Sequence, residues 1–136
     1  MPVALEIVSP DKLLLSRTVD MVVLPASEGD MGVLVGHAPM IVMLRGGTIS
    51  LYEGNNVTDR LYVAGGFAEV TPERCTVLAD EALPFESVTP EQLAERERAA
   101  EKVLAEAGTD AEKTAAAKNV AVARDLRRAQ AYYASR

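Results

Sequence analysis

The sequence predicts an α+β chain: an N-terminal antiparallel β-sandwich over residues 1–86, followed by a C-terminal antiparallel α-helical hairpin over residues 87–136. Three observations predict it. The first part is a succession of short apolar runs punctuated by Gly and Pro, the pattern of a sandwich or barrel. At Ser87 the grammar changes, and a long stretch rich in Ala, Glu and Arg takes over. Two capping signatures, Thr89-Pro90-Glu91-Gln92 and Thr109-Asp110-Ala111-Glu112, then stand on either side of Gly108, which reads as helix, turn, helix.

The elements follow in order. Val3, Leu5 and Ile7 alternate with Ala4, Glu6 and Val8, as in a half-buried strand, and Ser9-Pro10-Asp11 turns the chain. Strands follow over 13–17, 19–24 and, briefly, 32–34. Arg45-Gly46-Gly47 joins strands over 41–44 and 48–52, and Glu53-Gly54-Asn55-Asn56 leads into 57–58 and 60–64. Gly65-Gly66 separates that strand from 67–71, and Thr71-Pro72-Glu73 turns into a closing strand from Cys75 onward. The first helix is expected from 90 to about 107, with Pro90 at its first position and Gly108 stopping it as a C′ glycine. Its apolar side holds Leu93, Ala100, Val103, Leu104 and Ala107. The second helix, from 111 to about 134, presents Val122, Leu126, Ala129 and Tyr133. Both faces are thin and alanine-rich, so the contact between the helices buries little apolar area.

Composition narrows the function. Residues 1–86 hold five Lys or Arg against twelve acids, and the whole chain carries −6, which disfavours nucleic acid as a partner. No Trp and only six other aromatics are present, too few for a base-stacking platform. Cys75 is alone and reads as a small buried hydrophobe. The N-terminus lacks the basic and apolar regions of a signal peptide, and no apolar run approaches the roughly 20 residues that span a bilayer. One His and one Cys make a poor start for a zinc site, and neither a phosphate-binding loop nor a nucleophile elbow occurs. The chain is therefore expected to be no enzyme and to need no cofactor or metal.

The most informative stretch is Ser27-Glu28-Gly29-Asp30-Met31-Gly32-Val33-Leu34-Val35-Gly36-His37-Ala38-Pro39-Met40. It gathers Gly29, Gly32, Gly36 and Pro39 around the single histidine, and shaped loops on a rigid sheet are where binding tends to sit. Its form, Glu-Gly-acid-x-Gly-x-x-x-Gly-His-Ala-Pro, resembles the epsilon subunit family of bacterial F-type ATP synthase, whose mitochondrial homologue is the delta subunit. Two further segments resemble that family in order. Val63-Ala64-Gly65-Gly66-Phe67-Ala68-Glu69-Val70 is similar to its Gly-Gly-Phe-x-Glu-Val strand pair, and Thr76-Val77-Leu78-Ala79-Asp80-Glu81-Ala82 to its closing strand.

The resemblance implies a non-catalytic subunit of the rotor, held peripherally on the cytoplasmic face of the bacterial inner membrane without inserting into it. Its partners would be the gamma subunit of the central stalk, the ring of c subunits and, transiently, the alpha/beta catalytic head. Ser9, Asp30 and His37 would contact the ring, with His37 alternatively at the stalk, and Gly29, Gly32, Gly36, Pro39, Gly65 and Gly66 would shape the loops. Arg124, Arg127 and Arg128, at i, i+3 and i+4 on the second helix, would meet an acidic segment of the catalytic head and inhibit ATP hydrolysis. Some relatives bind ATP through Ile/Leu-Asp-x-x-Arg-Ala at the start of the first helix. Here Ser87-Val88-Thr89-Pro90-Glu91-Gln92 occupies that place and lacks both the Asp and the Arg, so ATP binding is not expected. Read from the residues alone, two other classes stay open: a free-standing small-molecule binding module using the sandwich loops, and a small hydrolase using His37 with a carboxylate.

Overall fold

A computed structural model describes residues 2–134, and the chain divides between Pro84 and Phe85 into two compact units. The first holds ten strands: β1 (Val3–Val8), β2 (Leu13–Val19), β3 (Met21–Ala26), β4 (Gly29–Val33), β5 (Met40–Leu44), β6 (Gly47–Glu53), β7 (Asn56–Val63), β8 (Gly66–Val70), β9 (Arg74–Ala79) and β10 (Ala82–Pro84). The second holds a 3-10 turn (Phe85–Ser87) and the helices α1 (Pro90–Glu106) and α2 (Asp110–Ala134).

The strands follow the order β10-β7-β6-β3-β5-β8-β9-β1-β2, with β4 beside β3. In the middle of this path β3 and β5 meet through one residue pair, Ala26 with Leu44. That narrow junction lets the two halves of the sheet fold face to face. Alternation then decides what goes inside. Val3, Leu5 and Ile7 of β1, Val42 and Leu44 of β5, and Cys75, Val77 and Ala79 of β9 come from one half. They meet Val22 and Leu24 of β3, Ile49 and Leu51 of β6, and Leu61 and Val63 of β7 from the other. No polar or charged residue is buried among the described residues.

The expected sandwich and helical hairpin are both present, with differences of detail. The sandwich is not wholly antiparallel, because β1 runs parallel to β9. The segment 76–82 is not one strand: β9 ends at Ala79, Asp80 and Glu81 turn, and β10 pairs antiparallel with β7. Gly29, Asp30 and Met31 are not a turn but the start of β4, opposite Ala26, Pro25 and Leu24. The turn there is only Ser27-Glu28. Gly32 likewise lies mid-strand opposite Val23 and takes no positive φ, whereas Gly29, Gly36, Gly65 and Gly66 do.

Gly66 has the strictest requirement. Its φ is 130°, and a Cβ there would sit 2.1 Å from the Leu78 carbonyl oxygen of β9. Only a residue without a side chain can start β8 at this spacing.

The hairpin starts as its sequence predicts. Thr89 accepts from the Gln92 backbone N–H at 3.1 Å, and the Gln92 side chain accepts from the Thr89 N–H at 2.9 Å, with Pro90 in the first turn. The second box is closed differently. Thr109 Oγ1 accepts from the Glu112 N–H at 3.1 Å but donates its own hydrogen to the Glu112 carboxylate at 2.9 Å. Gly108 is not a left-handed C′ residue. The first helix is capped by Ala107 in extended geometry, and Gly108 has no positive φ. The seam also differs in phase. Leu93 is buried on α1 as expected, but Val103 is 58% exposed, and α2 buries Ala116, Val120, Ala123 and Leu126. Val122, Ala129 and Tyr133 are only half-buried. Alanines complete this seam, and a periodicity traced through the larger residues misses it.

Two glycine substitutions separate these roles. Gly66→Ala is expected to destabilise the chain by roughly 3 kcal/mol or more, from strain plus a backbone clash. Gly108→Ala, with open space around the added carbon, is expected to be neutral or to stabilise by up to about 1 kcal/mol. Urea unfolding of each variant measures both.

Candidate functional site

Strand directions place the predicted residues at two opposite ends of the sandwich. β1, β3 and β5 finish at one end, where β4, β8 and β10 begin. That end carries the turns holding Ser9, Glu28 and Asp80, together with Asp30 and Arg45. At Ser9 the backbone N–H donates to the Lys12 carbonyl at 3.0 Å, and Lys12 N–H returns the bond to Ser9 at 3.3 Å. Pro10-Asp11 is thereby held as a tight two-residue loop. Asp30 does not stand free as a turn carboxylate. It accepts from Arg45 Nη2 at 2.8 Å while its side chain stays 64% exposed. An exposed pair of this kind contributes about 0–1 kcal/mol, so a second cation can replace Arg45 at little cost. With Asp11, Glu28, Asp30, Asp80 and Glu81 against Lys12 and Arg45, the end is acidic.

His37 lies at the other end. Leaving β4, the chain makes a turn from Leu34 to His37, closed by His37 N–H donating to the Leu34 carbonyl at 3.2 Å. Gly36 occupies its third position with φ 85°, the type II arrangement that favours glycine. The Gly36 N–H donates to the Pro72 carbonyl at 2.6 Å, which ties this loop to the turn before β9. Pro39 then leads the chain into β5. The His37 ring is 2.9 Å from the Ala38 carbonyl through Nδ1; with that nitrogen donating, the ring braces its own loop. Ser9 and Asp30 thus share one end, and His37 does not join them.

The feature that residue patterns did not single out is an apolar row on the outer sheet face. Register aligns Met43 with Phe67, Phe67 with Leu78, Leu78 with Val8 and Val8 with Leu13, across β5, β8, β9, β1 and β2. On β5, β8, β9 and β1 the neighbouring residues point into the core, so alternation forces Met43, Phe67, Leu78 and Val8 outward, and Leu13 joins them across the register irregularity between β1 and β2. Met43 is 61% exposed, Phe67 and Leu78 39%, and Leu13 53%. Ile41, also outward-facing on β5, is 67% exposed and widens the row. The signal was present in the sequence as apolar residues at both alternating positions of these strands. Such exposed contiguous patches mark interaction surfaces.

On α2, the three arginines separate. Arg127 donates from Nε to both Glu97 carboxylate oxygens, at 3.1 and 3.2 Å, and Arg124 lies 3.8 Å from Glu101. Arg128 is exposed and makes no ion pair among the described residues.

Among the described residues no cluster of His, Cys, Asp or Glu could hold a metal ion, and no helix is long and apolar enough to cross a membrane. The depression beside Asp30, lined by residues such as Met31, Met40 and Met43, is an open surface groove.

The sandwich, its glycine-shaped loops and the helix pair define a chain of the ATP synthase delta/epsilon class. The description "ATP synthase, Delta/Epsilon chain, beta-sandwich domain" matches residues 2–85, and the chain belongs to that family. It is 65% identical over 104 residues to the ATP synthase epsilon chain of Granulibacter bethesdensis, covering 76% of this chain and 72% of that one. It is 50% identical over 121 residues to the ATP synthase epsilon chain of Rhodospirillum rubrum, covering 89% and 90% respectively. Among solved structures, a chain of the Euglena gracilis mitochondrial ATP synthase, in an OSCP/F1/c-ring assembly, superposes with TM-score 0.72 and 26% identity over 94% of this chain and 81% of that one. A chain of the Tetrahymena thermophila mitochondrial ATP synthase shares the fold at TM-score 0.64 and 16% identity, covering 96% and 97%.

Burial pushes the Cys75 thiol up from 9.0 to about 11. The folded chain therefore loses stability as pH rises from about 9 towards 11, because the unfolded thiol releases its proton first. Cys75 is expected to resist iodoacetamide at pH 8 in the folded chain and to react fully in urea, as mass spectrometry of the labelled protein will show.

Proposed function

We propose that this chain is a non-catalytic rotor subunit that joins the central stalk to the membrane ring of an ATP synthase, with its helices able to restrain ATP hydrolysis. The observation that carries this reading is the in-register apolar row from Met43 to Leu13, on a sandwich whose one end is acidic. A linking subunit needs two separate contact surfaces of different chemistry. The apolar row suits a lasting contact, and we assign it to the gamma subunit of the stalk. The acidic end, with Ser9 and Asp30, suits the polar, arginine-bearing loops of the c subunits through charge-assisted hydrogen bonds. His37, at the opposite end with the exposed Leu34 and Val35, belongs with the stalk contact and not with the ring.

Family membership and the likeness to a chain from an F1/c-ring assembly support this reading. The subunit would lie against the cytoplasmic face of the bacterial inner membrane. Arg128 is the arginine best placed to begin a contact with the catalytic head, since Arg124 and Arg127 already have acidic partners on α1.

Reconstitution separates the two surfaces. Phe67→Glu is expected to weaken binding to F1 at least about tenfold, measured by co-sedimentation, while the variant stays folded. Asp30→Lys is expected to leave F1 binding intact but to lower proton pumping per ATP hydrolysed in membrane vesicles. Unchanged binding of Phe67→Glu would remove the apolar row from the stalk contact. Truncation after residue 86 is expected to raise hydrolysis, and an unchanged rate would assign the restraint elsewhere.

A further inference from the structure

The helical hairpin is held unevenly along its length. Towards the turn, the contact is small residues, with Val103 left 58% exposed. Towards the open end, polar and aromatic contacts accumulate. Arg124 faces Glu101 and Arg127 faces Glu97, so two acids one turn apart on α1 meet two cations one turn apart on α2. Beyond them Gln130 donates to the Val88 carbonyl at 2.9 Å, and the Tyr133 and Phe85 rings lie 6.1 Å apart. The Glu97 side chain is only 12% exposed, so its pairing with Arg127 is better shielded from salt than the other surface pairs. Helix propensity keeps α1 and α2 helical whether or not they touch, which leaves closure to the narrow seam of Leu93, Ala116, Val120, Ala123 and Leu126 and to these few polar and aromatic side chains.

We propose that Glu97 and Glu101 form a built-in acidic lock. They occupy Arg124 and Arg127 while the hairpin is closed, and they withhold both cations from any acidic partner until α2 comes away. This rests on the proposed restraint of hydrolysis by α2, and it adds which residues of the chain oppose that restraint. An external carboxylate surface and the pair on α1 then compete for the same two guanidinium groups. Release would begin at the open end, where the last turns of α2 are fastened, and not at Gly108.

The test reads distance in the isolated full-length chain, so it does not depend on inhibition. Spin labels at Glu91→Cys and Ala131→Cys, both exposed and outside the lock, report the gap between the two helix ends, with the buried Cys75 left in place. In the unaltered lock the short separation is expected to dominate. Glu97→Gln with Glu101→Gln is expected to raise the open fraction about fivefold. Raising salt from about 0.05 to about 0.5 M, which screens the exposed Arg124–Glu101 pair more than the shielded Arg127–Glu97 pair, is expected to open the unaltered chain only in part and to leave the double variant unchanged. Arg127→Glu is expected to open the hairpin, and adding Glu97→Arg to close it again, an outcome that loss of folding cannot mimic. Identical distance distributions in all variants at both salt concentrations would overturn the lock. Hydrolysis by F1 carrying the double variant then reads the underlying function separately. Stronger inhibition supports both readings, whereas opening without stronger inhibition keeps the lock and removes the restraint.

Discussion

The close approach of β8 to β9 at Gly66 is the constraint on which the sandwich depends. With φ at 130° and the Leu78 carbonyl where a Cβ would lie, the two strands can meet in one register only. That register sets Phe67 beside Leu78 and, through β5, beside Met43. It also turns Ala68 and Val70 inward to the core. A slip of one residue would reverse both faces at once, burying Glu69 and exposing Val70. The internal packing and the outer apolar row are therefore two results of the same backbone contact.

The two units are stabilised on different principles. The sandwich encloses branched aliphatic side chains with no polar or charged residue buried among the described residues, and its specificity comes from alternation and register. Among the described residues the hairpin buries only Leu93, Ala116, Val120, Ala123 and Leu126. At roughly 25 cal/mol per Å² so narrow a seam contributes little. Its alignment comes instead from directional pairs, Arg127 with Glu97 and Gln130 with Val88. Directional contacts specify one arrangement without making it hard to leave.

Most of the fold was legible because alternation, turn chemistry and helix caps are local. Thr89, Pro90 and Gln92 announced α1, and the runs around Gly46 and Gly54 announced their hairpins. What escaped depends on distant neighbours. β10 is three residues long and exists because β7 offers it an edge. The parallel pairing of β1 with β9 joins segments far apart in the chain, and no local pattern reports strand direction. Gly108 looked like a left-handed cap, yet the chain leaves α1 through an extended Ala107. Of the candidate site, the loop glycines were legible from composition. The separation of His37 from Asp30 was not, because it follows from the direction in which β4 and β5 run. Arg124 and Arg127 showed as a charged face, but their partners on α1 appear only once the helices are set side by side.

The segment from Asp30 to Arg45 has a mechanical consequence. It leaves the acidic end along β4, turns at Gly36 and returns along β5, so it crosses the sandwich twice. Five extended residues cover about 17 Å, which is the lever arm between its two ends. A load applied at the loop is carried along the extended backbone of β4 and β5 and their ladders of hydrogen bonds. The Gly36 amide, tied to Pro72, adds a strut to the adjoining strand β9. Pushing on either end should therefore shift the sandwich as one stiff block, with deformation appearing first in whatever the block is fastened to.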